Sequence, residues 1–157
     1  MTGFTLFKNS KTVKTLKIFY SGILTVGGSN SNGHLRTAEV FNPKSGQSCK
    51  IGEIPVATNR LSMCGTLVCG GEKSRKSCAR FDGLGTFTTL SVTLTESRQN
   101  HLCWELPSQE VLLFGGDFGR STTERVSADG TSSMADFNLP YDIRFVFKLM
   151  ATNNLCN

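Results

Sequence analysis

The amino-acid sequence predicts an all-β chain of about three successive four-stranded antiparallel sheets, followed by the first strand of a fourth. Short apolar runs end in twin glycines at Ile23 to Gly28, Thr66 to Gly71 and Val111 to Gly116. The second glycines, at 28, 71 and 116, step by 43 and 45 residues, the period of a four-stranded unit with its turns. Composition agrees: 16 glycines, 4 prolines, 38% hydrophobic and 18% charged residues suit short strands, tight turns and a real core, and exclude a disordered chain. A length of 157 residues fits one domain.

The elements follow in order. Residues 1–15 read as a basic N-terminal extension, because Lys8, Lys11, Lys14 and Lys17 lie in the first twenty residues, which contain no Asp or Glu. The remaining 13 basic and 12 acidic residues nearly cancel, so most of the net charge of +5 belongs to that end. It is read as a solvated tail, with a basic amphipathic face as the alternative. No aromatic residues alternate with a basic stripe, so no nucleic acid is expected as a partner. The best apolar stretch, Ile18 to Val26, is short and interrupted by Ser21, Gly22 and Thr25; no membrane insertion and no clean signal peptide are expected.

Residues 16–157 form the repeating body. After each glycine pair and a polar loop comes a second strand, at Ala38 to Asn42, Cys78 to Asp82 and Thr123 to Ser127. Turn residues follow, at Pro43 to Gly46, Gly83 to Gly85 and Asp129-Gly130. A last strand is read at Ser48 to Ile54, Thr86 to Val92 and Ser133 to Leu139, and an arginine closes each unit: Arg60, Arg98 and Arg144. The units then span 16–55, 60–94 and 98–140, and Phe145 to Met150 opens another at 144–157. A four-stranded meander is too small to bury both faces alone and must stack on its neighbours. The expected architecture is therefore a partial β-propeller of about three four-stranded blades plus the first strand of a fourth, with a generic β-sandwich as the alternative. Its structural glycines are Gly27, Gly28, Gly70, Gly71, Gly115 and Gly116, and its open blade faces are expected to favour self-association.

This pattern resembles the kelch repeat and, through Ser48-Cys49 to Arg60, Leu67 to Gly71 and Ser77-Cys78, the galactose-oxidase-type propellers of invertebrates. The likeness covers about residues 21–147. An aromatic residue stands at Phe41 and Phe81 but Val126 replaces it in the third repeat; the repeat's tryptophan is absent each time, with Cys49 and Phe87 nearest its place, and Trp104 lies elsewhere. With strands lettered a to d outward from the axis, b-to-c loops and d-to-a connections emerge on one side. The resemblance implies that this side takes a protein partner. Its candidate residues are His34, Arg60, Lys73, Arg75, Lys76, Arg98, Asp117 and Arg120. Arg60 and Arg98 have a second reading, as ties between blades through loop carbonyls.

Six cysteines form no Cys-x-x-Cys pair and only His34 and His101 accompany them, so no metal site and no cofactor are expected. Cys69 and Cys78, on neighbouring b and c strands, are the candidate disulfide. Cys64 with Cys69 is the alternative. The resemblance leans toward an extracellular setting, which would suit a structural or adhesive propeller held by disulfides. A copper-radical oxidase shares the architecture, but its tyrosine, cysteine and paired histidines have no counterpart beyond Tyr20 and Tyr141. With no nucleophile elbow, P-loop or paired carboxylates, no catalysis is expected and an inactive oxidase relative is the remote reading. Ser127 to Gly130, faintly similar to an Asp-box, is read as a c-to-d turn.

Overall fold

The computed structural model describes residues 15–19 and 22–142, with side chains described from Ile23 onward. The lysine-rich start before Thr15, the fourth-blade start at 144–157 and Arg144 lie outside the described residues. Among these residues every regular element is a strand. Blade 1 contains β1 (Thr15–Phe19) and β2 (Gly22–Val26). A two-stranded ribbon, β3 (Ser29–Asn30) with β4 (Gly33–His34), decorates its first polar loop before β5 (Thr37–Asn42) and β6 (Gln47–Glu53) complete the sheet. Blade 2 is β7 (Ser62–Cys64), β8 (Leu67–Cys69), β9 (Ser77–Phe81) and β10 (Phe87–Thr93). Blade 3 is β11 (Leu102–Glu105), β12 (Val111–Phe114), β13 (Thr123–Val126) and β14 (Ser132–Met134). Each blade pairs its strands antiparallel in chain order, as a meander. The a strands β1, β7 and β11 are neighbours across blades, so the sheets converge along one line. The fold is all-β and partial-propeller-like.

Strand pairing fixes which residues are equivalent. Val26 opposite Ala38, Cys69 opposite Cys78 and Phe114 opposite Thr123 are one position in three blades. A further bond repeats three times, with the Ile54, Leu94 and Leu139 N–H groups donating to the carbonyls of Arg36, Lys76 and Ser121. The arginine landmark does not repeat. Thr58 N–H donates to Leu35 O as Arg98 N–H donates to Arg75 O, which makes Thr58 the counterpart of Arg98. Arg60 instead corresponds to Asn100, and both hold positive φ, 57° and 52°. Asparagine tolerates that left-handed conformation better than arginine does. The third d strand is also shorter than expected and ends at Met134: Asp136 and Asn138 have little β preference, and Pro140 lacks a ladder donor.

Period-two alternation divides each strand between two seams. Leu24, Val26 and Ala38 of blade 1 pack with Met63, Val68, Ala79, Phe81 and Phe87 of blade 2. The Phe81 and Phe87 rings stack at 4.7 Å. The opposite side of blade 2, with Cys64, Leu67, Cys69, Cys78 and Leu94, meets Cys103, Val111, Leu113 and Val126 of blade 3. Each such fully buried aliphatic residue contributes about 1.5–3 kcal/mol.

Two disulfides lie on this second side. Cys69 is joined to Cys78 across β8 and β9, with Cα atoms 4.2 Å apart. Cys64 pairs with Cys103 at a Cα separation of 5.9 Å, not with Cys69. Cys64 and Cys69 come from a hairpin in which Cys64 faces Leu67 and Cys69 faces Ser62, so they are not directly opposite. The Cys64–Cys103 bridge runs between the a strands of neighbouring blades. Among the described residues Cys49 is the remaining, exposed thiol.

Candidate binding face

The side carrying the b-to-c loops is organised by the twin glycines. The first of each pair donates to the start of the c strand: Gly27 to Thr37 O, Gly70 to Ser77 O and Gly115 to Thr122 O. The second meets the connection to the next blade, with Gly28 donating to Thr58 O and Gly71 to Arg98 O, both at 2.9 Å. All six have positive φ. A Cβ on Gly71 would lie 2.5 Å from Thr58 Oγ1 and 2.7 Å from Asn59 O, so conformation and space both demand glycine there. From the other blade, Glu72 N–H donates to Asn59 O and Asp117 N–H to Gln99 O. Every described d-to-a connection is thus bonded to the loops before and after it.

This lattice decides where the candidate side chains stand. Arg60, Lys73, Arg75, Lys76 and Arg120 are exposed, and His34 and Asp117 are half-buried. Arg60 Nε lies 4.0 Å from Glu72. Lys76 Nζ donates to Thr95 O at 2.7 Å, and Arg120 lies 3.8 Å from Asp142. The Arg75 guanidinium sits 4.6 Å over the Phe118 ring, joining the loops of blades 2 and 3. Asp117 Oδ2 accepts from Gln99 Nε2 at 2.7 Å and Asn100 Nδ2 at 2.9 Å, so it holds the connection as well as facing the loop.

Arg98 must be removed from any partner-facing set, because it is wholly buried. Its Nε donates to Glu124 Oε2 at 3.1 Å, Nη1 to Gly115 O at 3.0 Å, and Nη2 to Thr122 Oγ1 at 3.1 Å. Glu124, also fully buried, accepts in addition from Thr95 N–H and from the Ser132 hydroxyl. A buried ion pair needs such extra hydrogen bonds to offset desolvation. Beside it, His101 and Ser62 share a 2.5 Å hydrogen bond between Nε2 and Oγ, while His101 Nδ1 is buried without a partner. Burial first, and the Arg98 charge second, hold the imidazole pKa down to about 3. His101 is therefore neutral at ordinary pH.

The c-to-d turns lie at the other ends of the strands. Asp82 Oδ1 accepts from the N–H groups of Leu84, Gly85 and Thr86, which lowers its pKa. Asp129 likewise accepts from Thr131 N–H and Oγ1, and its pKa is lowered. Ser127 to Gly130 is such a turn between β13 and β14.

No known family model matches this chain, and no curated protein matches it significantly in sequence. Among the described residues, no three His, Cys, Asp or Glu side chains converge as metal ligands, and no helix is long and apolar enough to cross a membrane.

Sequence reasoning missed Phe118 as part of the face, and Gln99, Asn59 and Asn100 as its supports. Phe118 had a legible signal, an aromatic residue in a polar loop between Asp117 and Gly119. The amides had none, since their roles follow from backbone proximity between segments about 15 residues apart.

Proposed function

We propose that this chain is a kelch-type propeller module that binds a protein partner and carries out no chemistry. The twin-glycine repeats, followed by Phe41 and Phe81 in two blades, support the kelch reading, while Val126 and the missing tryptophans depart from it. The observation that carries the binding reading is the pairing of exposed Arg75 with Phe118, 46% exposed, on a rim whose backbone is tied down by both blades. Aromatic and arginine side chains on a preorganised support lose little entropy when a partner covers them. Lys73 and Arg120, exposed on the same two loops, add charge suited to orienting an encounter.

The test compares capture of one identified partner by the wild-type chain, by Arg75→Ala with Phe118→Ala, and by Leu84→Ala in the exposed c-to-d turn. The double variant is expected to weaken binding by roughly tenfold or more, as interface anchors do, and Leu84→Ala to leave it unchanged. Equal affinity for all three, or loss confined to Leu84→Ala, would refute this surface.

The two disulfides favour a second reading, an extracellular structural propeller, because such bridges persist in oxidising compartments. Thiol titration of protein from its native compartment is then expected to find Cys64, Cys69, Cys78 and Cys103 blocked until reductant is added. Six free thiols would rule that reading out.

A further inference from the structure

Arg98 is hidden from any partner, yet it touches both loops whose side chains meet on the binding face. Its backbone N–H donates to Arg75 O at 2.8 Å and its carbonyl accepts from Gly71 N–H, which holds the loop of blade 2. Its guanidinium grips the loop of blade 3 at both ends. Nη1 donates to Gly115 O at 3.0 Å and to Thr122 O at 3.3 Å, and Nη2 to Thr122 Oγ1 at 3.1 Å. Gly119, the residue after Phe118, packs so closely that a Cβ there would lie 2.5 Å from Nη1. One buried residue therefore fixes the Arg75 carbonyl and closes the base of the loop carrying Phe118, the ring over which the Arg75 guanidinium stands.

The preceding seam lacks this fork. Thr58 stands in the place of Arg98, Ala79 in that of Glu124, and Pro55, with no N–H to donate, in that of Thr95. The Thr58 side chain takes a single bond from the next loop, from Lys73 N–H. The exposed pair is replaced there as well: Leu35 corresponds to Arg75, and Lys73, two residues past its twin glycines, to Phe118. Pairing with Glu124 does not by itself call for arginine, because a lysine ammonium also supplies a charge. Bonding a carboxylate and both ends of a loop at once does call for it, since only the planar fork directs donors to separate acceptors.

We propose that buried Arg98 is a positioning residue for the binding face: its fork presets the loop of blade 3 so that Phe118 lies under the Arg75 guanidinium before a partner arrives. This rests on the reading of that face as a binding surface and adds what determines its shape. A pair already in place loses less conformational freedom when it is covered, so Arg98 acts on affinity without touching the partner.

NMR of the Arg75 side chain in the full oxidised chain tests this without a partner. Protons held over the face of the Phe118 ring are shielded by its ring current, so their signals are expected upfield of those in Phe118→Leu, which sets the zero. Arg98→Lys keeps a charge beside Glu124 but loses the fork, and is expected to remove most of that displacement. Thr122→Val deletes the acceptor of Nη2, leaves the ion pair in place, and is expected to reduce the displacement. Glu124→Gln weakens the ion pair but not the bonds to the loop, and is expected to lower stability while the Arg75 signals stay displaced. Wild-type signals that coincide with those of Phe118→Leu overturn the proposal, as do signals unmoved by either Arg98→Lys or Thr122→Val. An equal loss in Glu124→Gln also overturns it, by tying the loop to the stability of the seam instead of to the fork. If Arg98→Lys does not fold, Thr122→Val decides alone. The binding reading itself stands or falls separately, on whether Arg75→Ala with Phe118→Ala weakens capture.

Discussion

The seam between blades 1 and 2 and the seam between blades 2 and 3 occupy equivalent places and are built from different chemistry. The first is closed by aliphatic side chains and the Phe81–Phe87 stack, with Thr58 as its main buried polar group; Thr58 Oγ1 accepts from Lys73 N–H at 3.1 Å. The second adds the Cys64–Cys103 bridge, the Arg98–Glu124 pair and the Ser62–His101 bond to a smaller aliphatic cluster. One architecture thus accepts two solutions, provided that each buried polar group brings its partners with it. The apolar solution tolerates single changes, whereas the polar one punishes the loss of any one member.

The largest difference is expected at Arg98. Arg98→Met leaves Glu124 buried beside an uncharged neighbour and is expected to cost about 3–5 kcal/mol of unfolding free energy, measured by denaturant titration. Adding Glu124→Ala and Thr95→Pro, which copies the other seam, should recover much of that loss. If the triple variant is no more stable than the single one, the two seams are not interchangeable solutions.

Breaking the bridge between blades should come next. Cys64→Ala with Cys103→Ala opens a loop spanning 39 residues, worth about 4 kcal/mol in the chain-entropy model. The same model gives about 3 kcal/mol for Cys69–Cys78, whose partners are 9 residues apart. Thermal unfolding of the two alanine pairs checks the order. A greater loss from the bridge within blade 2 would contradict the claim that blades 2 and 3 are stapled together.

The seams should also differ in their response to pH. His101 has its folded pKa held near 3, below the ordinary value of 6.5, so the unfolded chain binds the proton first. Its contribution is complete above pH 6.5 and is lost as pH falls toward 3, at about 1 kcal/mol per pH unit. His101→Leu, which copies its counterpart Leu61, should flatten that slope. The window to read is pH 4.5 to 6.5, above the range in which the lowered Asp82 and Asp129 carboxyls begin to titrate. An unchanged slope would assign the dependence elsewhere.

Thr58→Val is the smallest change, expected to cost about 1 kcal/mol for the bond to Lys73 N–H, by the same denaturant titration. A loss comparable to that of Arg98→Met would remove the distinction between the seams.

The repeat itself was legible because it depends on local geometry. Twin glycines after an apolar run are required wherever a b strand ends against the next connection, and that need recurs in step. Cys69 and Cys78 could be nominated because they lie on adjacent strands of one blade. Cys64 and Cys103 are brought together only by stacking, which no within-blade argument reaches. Arg98 shows the same boundary. Its recurrence with Arg60 looked like a landmark, yet the uneven spacing concealed that Arg60 aligns with Asn100 and Thr58 with Arg98. Whether an arginine faces solvent or a buried carboxylate is set here by a two-residue shift in register, and sequence spacing alone does not resolve that.

Hydrogen exchange measured strand by strand on the oxidised chain tests most directly whether blades 2 and 3 form one cross-linked unit to which blade 1 is added by apolar contact. Amides of β8, β9, β12 and β13 should be protected more strongly than those of β2 and β5, and reduction of the disulfides should bring the two groups together. Equal protection before reduction, or blade 1 exchanging last, would contradict it.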